Sequence, residues 1–235
     1  MPPLSAARYA IYYAPSRDSL LWQLGVRWLG RDPETGAEQV APAMAGYRAS
    51  EVAAYTQSAR RYGWHATIKA PFRLRPQCSG QDLAQALAAF CATRDAIPLP
   101  ALEVGTMGAF IALRPLVPYA ELNSLAAACV ETFENYRQPP SEQEQARRRA
   151  AGLSERQQWL LERYGYPYVL DEFRFHLTLT DALPMQTQTR LLPALATHFA
   201  PALEQPCMLD QFALFVEPAE HAPLALLQRY RLGTR

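Results

Sequence analysis

One short pattern occurs twice in this chain and constrains its fold more than any other feature: His65-Ala66-Thr67 within WHATIKAPF, and His176-Leu177-Thr178 within RFHLTLT. Both runs are rich in β-branched and aromatic residues and read as strands, the first closed by Pro71. After His65 comes a helical pattern over about residues 81–94 and a strand over about 101–113, stopped by Pro115. After His176 come a helical pattern over about 186–199 and a strand over about 207–216, stopped by Pro218. The same order of elements with shortened loops indicates an internal duplication. Upstream, residues 8–14 read as a strand, and 19–29 and 49–60 as helices.

Strand side chains alternate between faces, so His65, Thr67 and Lys69 are expected on one face of the first strand. The same parity groups Arg174, His176, Thr178 and Thr180 on the second. Each strand then has an apolar side for packing and a polar side for chemistry. An imidazole pair suits phosphoryl transfer: one neutral ring can deprotonate a nucleophile while the other, protonated, gives its proton to the departing oxygen. Thr67 and Thr178 are expected to donate to phosphate oxygens, and Lys69 and Arg174 to neutralise their charge. A single His-x-Thr is often a hydrogen-bonded core histidine. Two in the same setting are harder to assign to packing. Lys69 draws notice because it is the only lysine; every other basic residue is arginine. His198 and His221 lack the strand context and read as structural or solvent-facing.

Composition narrows the alternatives. The chain has 235 residues, 49% of them hydrophobic, enough for a substantial core. Its 23 basic and 22 acidic residues give a net charge of +1, which argues against tracking a long nucleic-acid backbone and leaves room for a small phosphorylated substrate. Four dispersed cysteines, with no Cys-x-x-Cys and no histidine at ligand spacing, predict neither a disulfide nor a metal site. No cofactor is expected. With Pro15 interrupting the first apolar segment and no run of about 18 apolar residues, the sequence predicts a cytoplasmic protein without a membrane span. Arg147, Arg148 and Arg149, in a polar helical stretch, read as a solvated helix face or a phosphate clamp.

The pair HATIKAPF and FRFHLTLT resembles the signature motifs of the two-histidine phosphoesterase superfamily, which includes RNA 2′,5′-ligase-like proteins and cyclic phosphodiesterases. YYAP, WLGRDPETG, RYGWHATIKAPFRL and GYPYVLDEFRFHLTLT together resemble, over residues 8–183, a family associated with phosphonate-utilisation operons. The resemblance implies an α+β fold of two pseudo-symmetric lobes, with antiparallel sheets facing a central cleft and helices outside. It makes residues 1–235 one catalytic domain, its lobes spanning roughly 1–118 and 119–235, with room for strand exchange between them. It carries catalytic roles to His65 and His176 and phosphate-binding roles to Thr67 and Thr178. RNA-processing members follow the first motif with apolar and aromatic residues, whereas here Lys69 and Pro71 intervene; this favours a small cyclic phosphate ester. The expected activity is a metal-independent cyclic phosphodiesterase acting on a phosphoribosyl cyclic phosphate. The alternatives are a nucleoside 2′,3′-cyclic phosphate or RNA end, and a non-catalytic binder of a phosphorylated metabolite.

Overall fold

The computed structural model describes residues 7–139 and 152–233; the arginine run at 147–149 lies outside them. The fold is α+β, with a large antiparallel sheet. Its strands are β1 (Arg8–Tyr13), β2 (Ala66–Arg73), β4 (Leu102–Met107), β5 (Phe110–Pro115), β6 (Leu177–Thr178), β8 (Gln211–Glu217) and β9 (Ala225–Arg231), in the spatial order β4-β5-β6-β2-β1-β8-β9. A separate two-stranded pair joins β3 (Ile97–Pro98) to β7 (Met208–Leu209).

This order interleaves the two repeats. The hairpin β4-β5 follows the first histidine strand in sequence but pairs with β6, the second; β8-β9 follows the second but pairs with β1, beside the first. Helix α4 (Gly80–Ala92) packs on β8 and β9, and the long helix α7 (Met185–Leu203) packs on β4 and β5. The two halves are joined into one continuous sheet where Ala66 of β2 pairs with Leu177 of β6.

Local chemistry explains most element boundaries. Helix α1 (Leu20–Leu29) starts where the Ser19 hydroxyl accepts from the Trp22 amide at 3.1 Å and ends at Gly30. It buries Leu21, Trp22, Val26, Trp28 and Leu29 and packs against α7. Helix α4 opens with a reciprocal cap between Ser79 and Asp82. The single strand expected over 101–113 is instead the hairpin β4-β5, turned at Gly108, whose φ of +62° suits glycine. The helix expected over 49–60 divides at Thr56 into α2 (Ala49–Tyr55) and α3 (Gln57–Tyr62). Helix α5 (Ala120–Thr132) lies against β2, and α6 (Glu155–Tyr164) leads into residues 165–168 at the cleft.

Candidate active site

The histidine strands are neighbours in the middle of the sheet, and their register is decisive. Ala66 stands opposite Leu177 in an antiparallel pair, and both are fully buried. Continuing that register by one residue either way sets His65 opposite Thr178 and Thr67 opposite His176. All four side chains therefore leave the sheet on the face that Ala66 and Leu177 do not use, and all four line one cleft of about 600 Å³. The two histidines occupy diagonal positions, about 7–8 Å apart at the backbone in an antiparallel pair and within reach of one group between them. Two His-x-Thr motifs paired this way form a local two-fold arrangement.

Each imidazole is aimed in the same manner. His65 Nδ1 lies 2.8 Å from the Gly63 carbonyl oxygen, and His176 Nδ1 lies 2.7 Å from the Arg174 carbonyl oxygen, two residues upstream in both cases. A carbonyl only accepts, so Nδ1 carries the hydrogen in both rings and, in the neutral ring, Nε2 is the basic nitrogen. His65 Nε2 lies 3.2 Å from the Thr67 hydroxyl, which can donate to it. Gly63 adopts φ +79°, and a Cβ there would lie 2.6 Å from Pro33 Cβ, so glycine is what lets this carbonyl turn toward His65. Tyr12 stacks on His65 with ring centroids 3.8 Å apart and 18° between planes. Burial, aided by the neighbouring His176, pushes the His65 pKa down to about 4. Burial also lowers that of His176, against the opposing pull of the Arg174 carbonyl.

The second motif sits on a strand of only two residues, so its support comes from outside β6. Trp28 Nε1 donates to the Leu179 carbonyl at 2.6 Å. The Ile111 carbonyl accepts from the Leu179 amide at 2.9 Å, and the Ile111 amide donates to the Thr180 hydroxyl at 3.0 Å. Asp181 at the cleft edge accepts from the Ser58 and Ala59 amides, capping the start of α3.

Two residues expected in the site are not there. Lys69 is 3% exposed and on the other side of the sheet, where its ammonium donates to the Val130 carbonyl and to Glu134, each at 3.1 Å. The reason is an irregular register: Tyr12 pairs with Thr67 but the adjacent Ile11 pairs with Lys69, so β2 carries an extra residue there. Neighbouring residues of β1 point to opposite faces, and their partners do too. Ala70 and Pro71 line the cleft instead. Arg174 is exposed and turns its guanidinium back to the carbonyls of Asp171 and Phe173, at 2.9 and 2.7 Å. Only its own carbonyl serves the site, by orienting His176.

Sequence reasoning missed Arg8, the one arginine or lysine among the described residues lining the cleft. It also missed Tyr12 and Gly63. A signal was present: in RYAIYY, strand parity sets Arg8 and Tyr12 on one face, a cation and a hydroxylated ring on the same side of the strand. Among the described residues no cluster of three or more His, Cys, Asp or Glu is positioned to hold a metal ion, and no helix is long and apolar enough to cross a membrane.

Fold and site together define an α+β protein with a paired-histidine cleft in the centre of an antiparallel sheet. The chain belongs to the family described as "Protein of unknown function (DUF1045)", whose model matches residues 67–225. It is 40% identical over 230 residues to the ribose 1,5-bisphosphate phosphokinase PhnN of Janthinobacterium sp. (strain Marseille), covering 96% of this chain and 51% of that protein. It is 37% identical over 226 residues to the protein of the same name from Laribacter hongkongensis (strain HLHK9), covering 93% and 50%. The chain thus spans about half the length of the curated relatives it matches. Among solved structures it is similar to a phosphoesterase (13% identity, 97% and 98% of the two chains, TM-score 0.42). It is also similar to E. coli LigT complexed with 3′-AMP (16%, 97% and 98%, TM-score 0.41). At those values the structural likeness supports no argument about function.

Proposed function

We propose that this protein is a metal-independent phosphodiesterase that opens a small cyclic phosphodiester. The observation that carries this reading is the antiparallel pairing of the two His-x-Thr motifs, with two imidazoles and two hydroxyls in one cleft and both Nδ1 atoms held by backbone carbonyls. Water attacks phosphorus opposite the ring oxygen to be expelled. His65 Nε2 takes the water's proton, the bond from phosphorus to the ring oxygen breaks, and His176 Nε2–H returns a proton to that oxygen. The products are a phosphate monoester and a free hydroxyl on the same molecule. The roles follow from the environments: His65, the more strongly depressed of the two, is the ring that stays neutral and serves as base, and His176 is the acid. Thr67 and Thr178 donate to the non-bridging oxygens.

Within this class we rank a phosphoribosyl cyclic phosphate of phosphonate catabolism first, because the relatives' name concerns a phosphorylated ribose. A nucleoside 2′,3′-cyclic phosphate or RNA end ranks second. The kinase activity in that name is not carried to this chain. A P-loop needs G-x-x-x-x-G-K-[ST], and the only lysine here stands in His-Ala-Thr-Ile-Lys. Turnover of a panel of sugar and nucleoside cyclic phosphates tests the reading. Ring opening of at least one is expected; binding without turnover across the whole panel would make the protein a non-catalytic binder.

A further inference from the structure

The cleft reaches along β1 from Tyr12 to Arg8, and Arg8 is a feature that the hydrolytic mechanism does not use. Arg8 stands opposite Glu217 across the β1-β8 pair, on the same face as Tyr12. Glu217 is a carboxylate with no exposed surface. Arg8 Nε donates to one of its oxygens. Arg61 Nη1 at 3.4 Å and the His221 amide at 3.0 Å donate to the other. Burying a carboxylate beneath two arginines is costly, and an apolar group of the same shape would serve the fold as well or better. What the arrangement achieves is orientation. With Nε engaged by Glu217, the guanidinium plane of Arg8 is held, and the side chain lines the cleft. The Glu217 carboxylate keeps the Arg8 pKa raised, so the charge is permanent.

At the backbone, Arg8 lies well along β1 from Tyr12, the residue paired with Thr67 of the first motif. Tyr12, which stacks on His65, is four positions further along β1, a rise of about 13 Å at the backbone. The cleft therefore has two anion-seeking positions, one at the His-x-Thr pair and one at Arg8, with Tyr62 beside the second.

We propose that Arg8 is a specificity-determining residue that binds a phosphate monoester on the substrate, separate from the cyclic diester that the histidines open. This rests on the phosphodiesterase reading for the turnover arm of its test and is independent of it for the binding arm. The planar fork suits a terminal phosphate, and one such charge-assisted contact distinguishes phosphorylated from unphosphorylated ligands by roughly 10- to 100-fold.

The test compares kcat/KM of the wild-type protein on ribofuranose 1,2-cyclic phosphate with and without a 5-phosphate, then repeats the comparison in Arg8→Gln. The wild type should prefer the 5-phosphorylated compound by about tenfold or more, and the preference should collapse toward unity in the variant. Calorimetric titration with ribose 5-phosphate, which has no diester to open, should show binding that weakens by a similar factor in Arg8→Gln. Because Arg8→Gln leaves Glu217 with one arginine fewer, the double variant Arg8→Gln/Glu217→Gln is measured beside it and should behave alike. Equal wild-type rates on the two cyclic compounds, or a preference that survives both variants, overturns the proposal. Ribose 5-phosphate binding that depends on Arg8, without turnover of either compound, would keep the subsite and remove the phosphodiesterase reading.

Discussion

Replacing Lys69 by Met separates a structural from a catalytic role for the only lysine. Its ammonium is buried between the Val130 carbonyl and Glu134, and Glu134 is also gripped by Arg137 through contacts of 2.6 to 3.1 Å. Removing one partner of a buried ion pair costs on the order of 3–5 kcal/mol when the other charge is left uncompensated. Here Arg137 continues to hold Glu134, and the Met side chain fills most of the lysine's apolar stem, so the expected loss is smaller, about 2–3 kcal/mol. For a chain of this length that lowers the melting temperature by roughly 4–12 °C. Catalysis should barely change, within about threefold in kcat/KM below the transition, because the register irregularity turns Lys69 away from the cleft. A charge touching the phosphate would give the opposite pattern, with 2–4 kcal/mol lost from the transition state, or about 30- to 1000-fold in rate. Thermal melts by circular dichroism paired with steady-state kinetics on the same samples decide between the two. An unchanged melting temperature with a hundredfold rate loss would refute the placement of Lys69.

Three further outcomes follow from the site. The pH profile of kcat/KM reports the free protein: activity needs His65 neutral, so it falls as pH drops through about 4, and needs His176 protonated, so it falls as pH rises through a value below 6.5. The maximum should lie in that acid window, and a maximum at pH 8 would contradict the assignment of base and acid. Gly63→Ala forces a side chain into the left-handed region against Pro33 and displaces the carbonyl that holds His65 Nδ1; kinetics and melting should show loss of both activity and stability, and a neutral effect on both would remove that carbonyl from the account. Hydrolysis should survive exhaustive treatment with EDTA; loss restored specifically by one divalent ion would replace the two-histidine mechanism.

The sequence exposed the two motifs, the strand-helix-strand order after each, and the face on which His65, Thr67, His176 and Thr178 meet. These depend on short-range periodicity, which one-dimensional reading captures. It could not expose what depends on pairing. Strand alternation counts residues along one chain, and an extra residue in β2, visible only against β1, reversed the side on which Lys69 lies. Arg174 had the right parity, but its guanidinium bonds carbonyls of its own segment, a local choice that parity does not report. The partner strands β5 and β9 depend on turns at Gly108 and around residues 218–224, which periodicity along one strand does not distinguish from strand interior or strand end. Arg8 acquires meaning only beside Glu217, which is 209 residues away in sequence.

The central claim is that His65 and His176 act as one catalytic unit on one phosphate, and the direct measurement is kcat for His65→Ala, His176→Ala and the double variant on a cyclic phosphodiester that the wild type opens. Each single change should lower kcat by about a hundredfold or more with the melting temperature retained. The double change should be little worse than the poorer single one, because groups that act together are lost together. Wild-type rates in either single variant, or losses that multiply as for two independent sites, would contradict it.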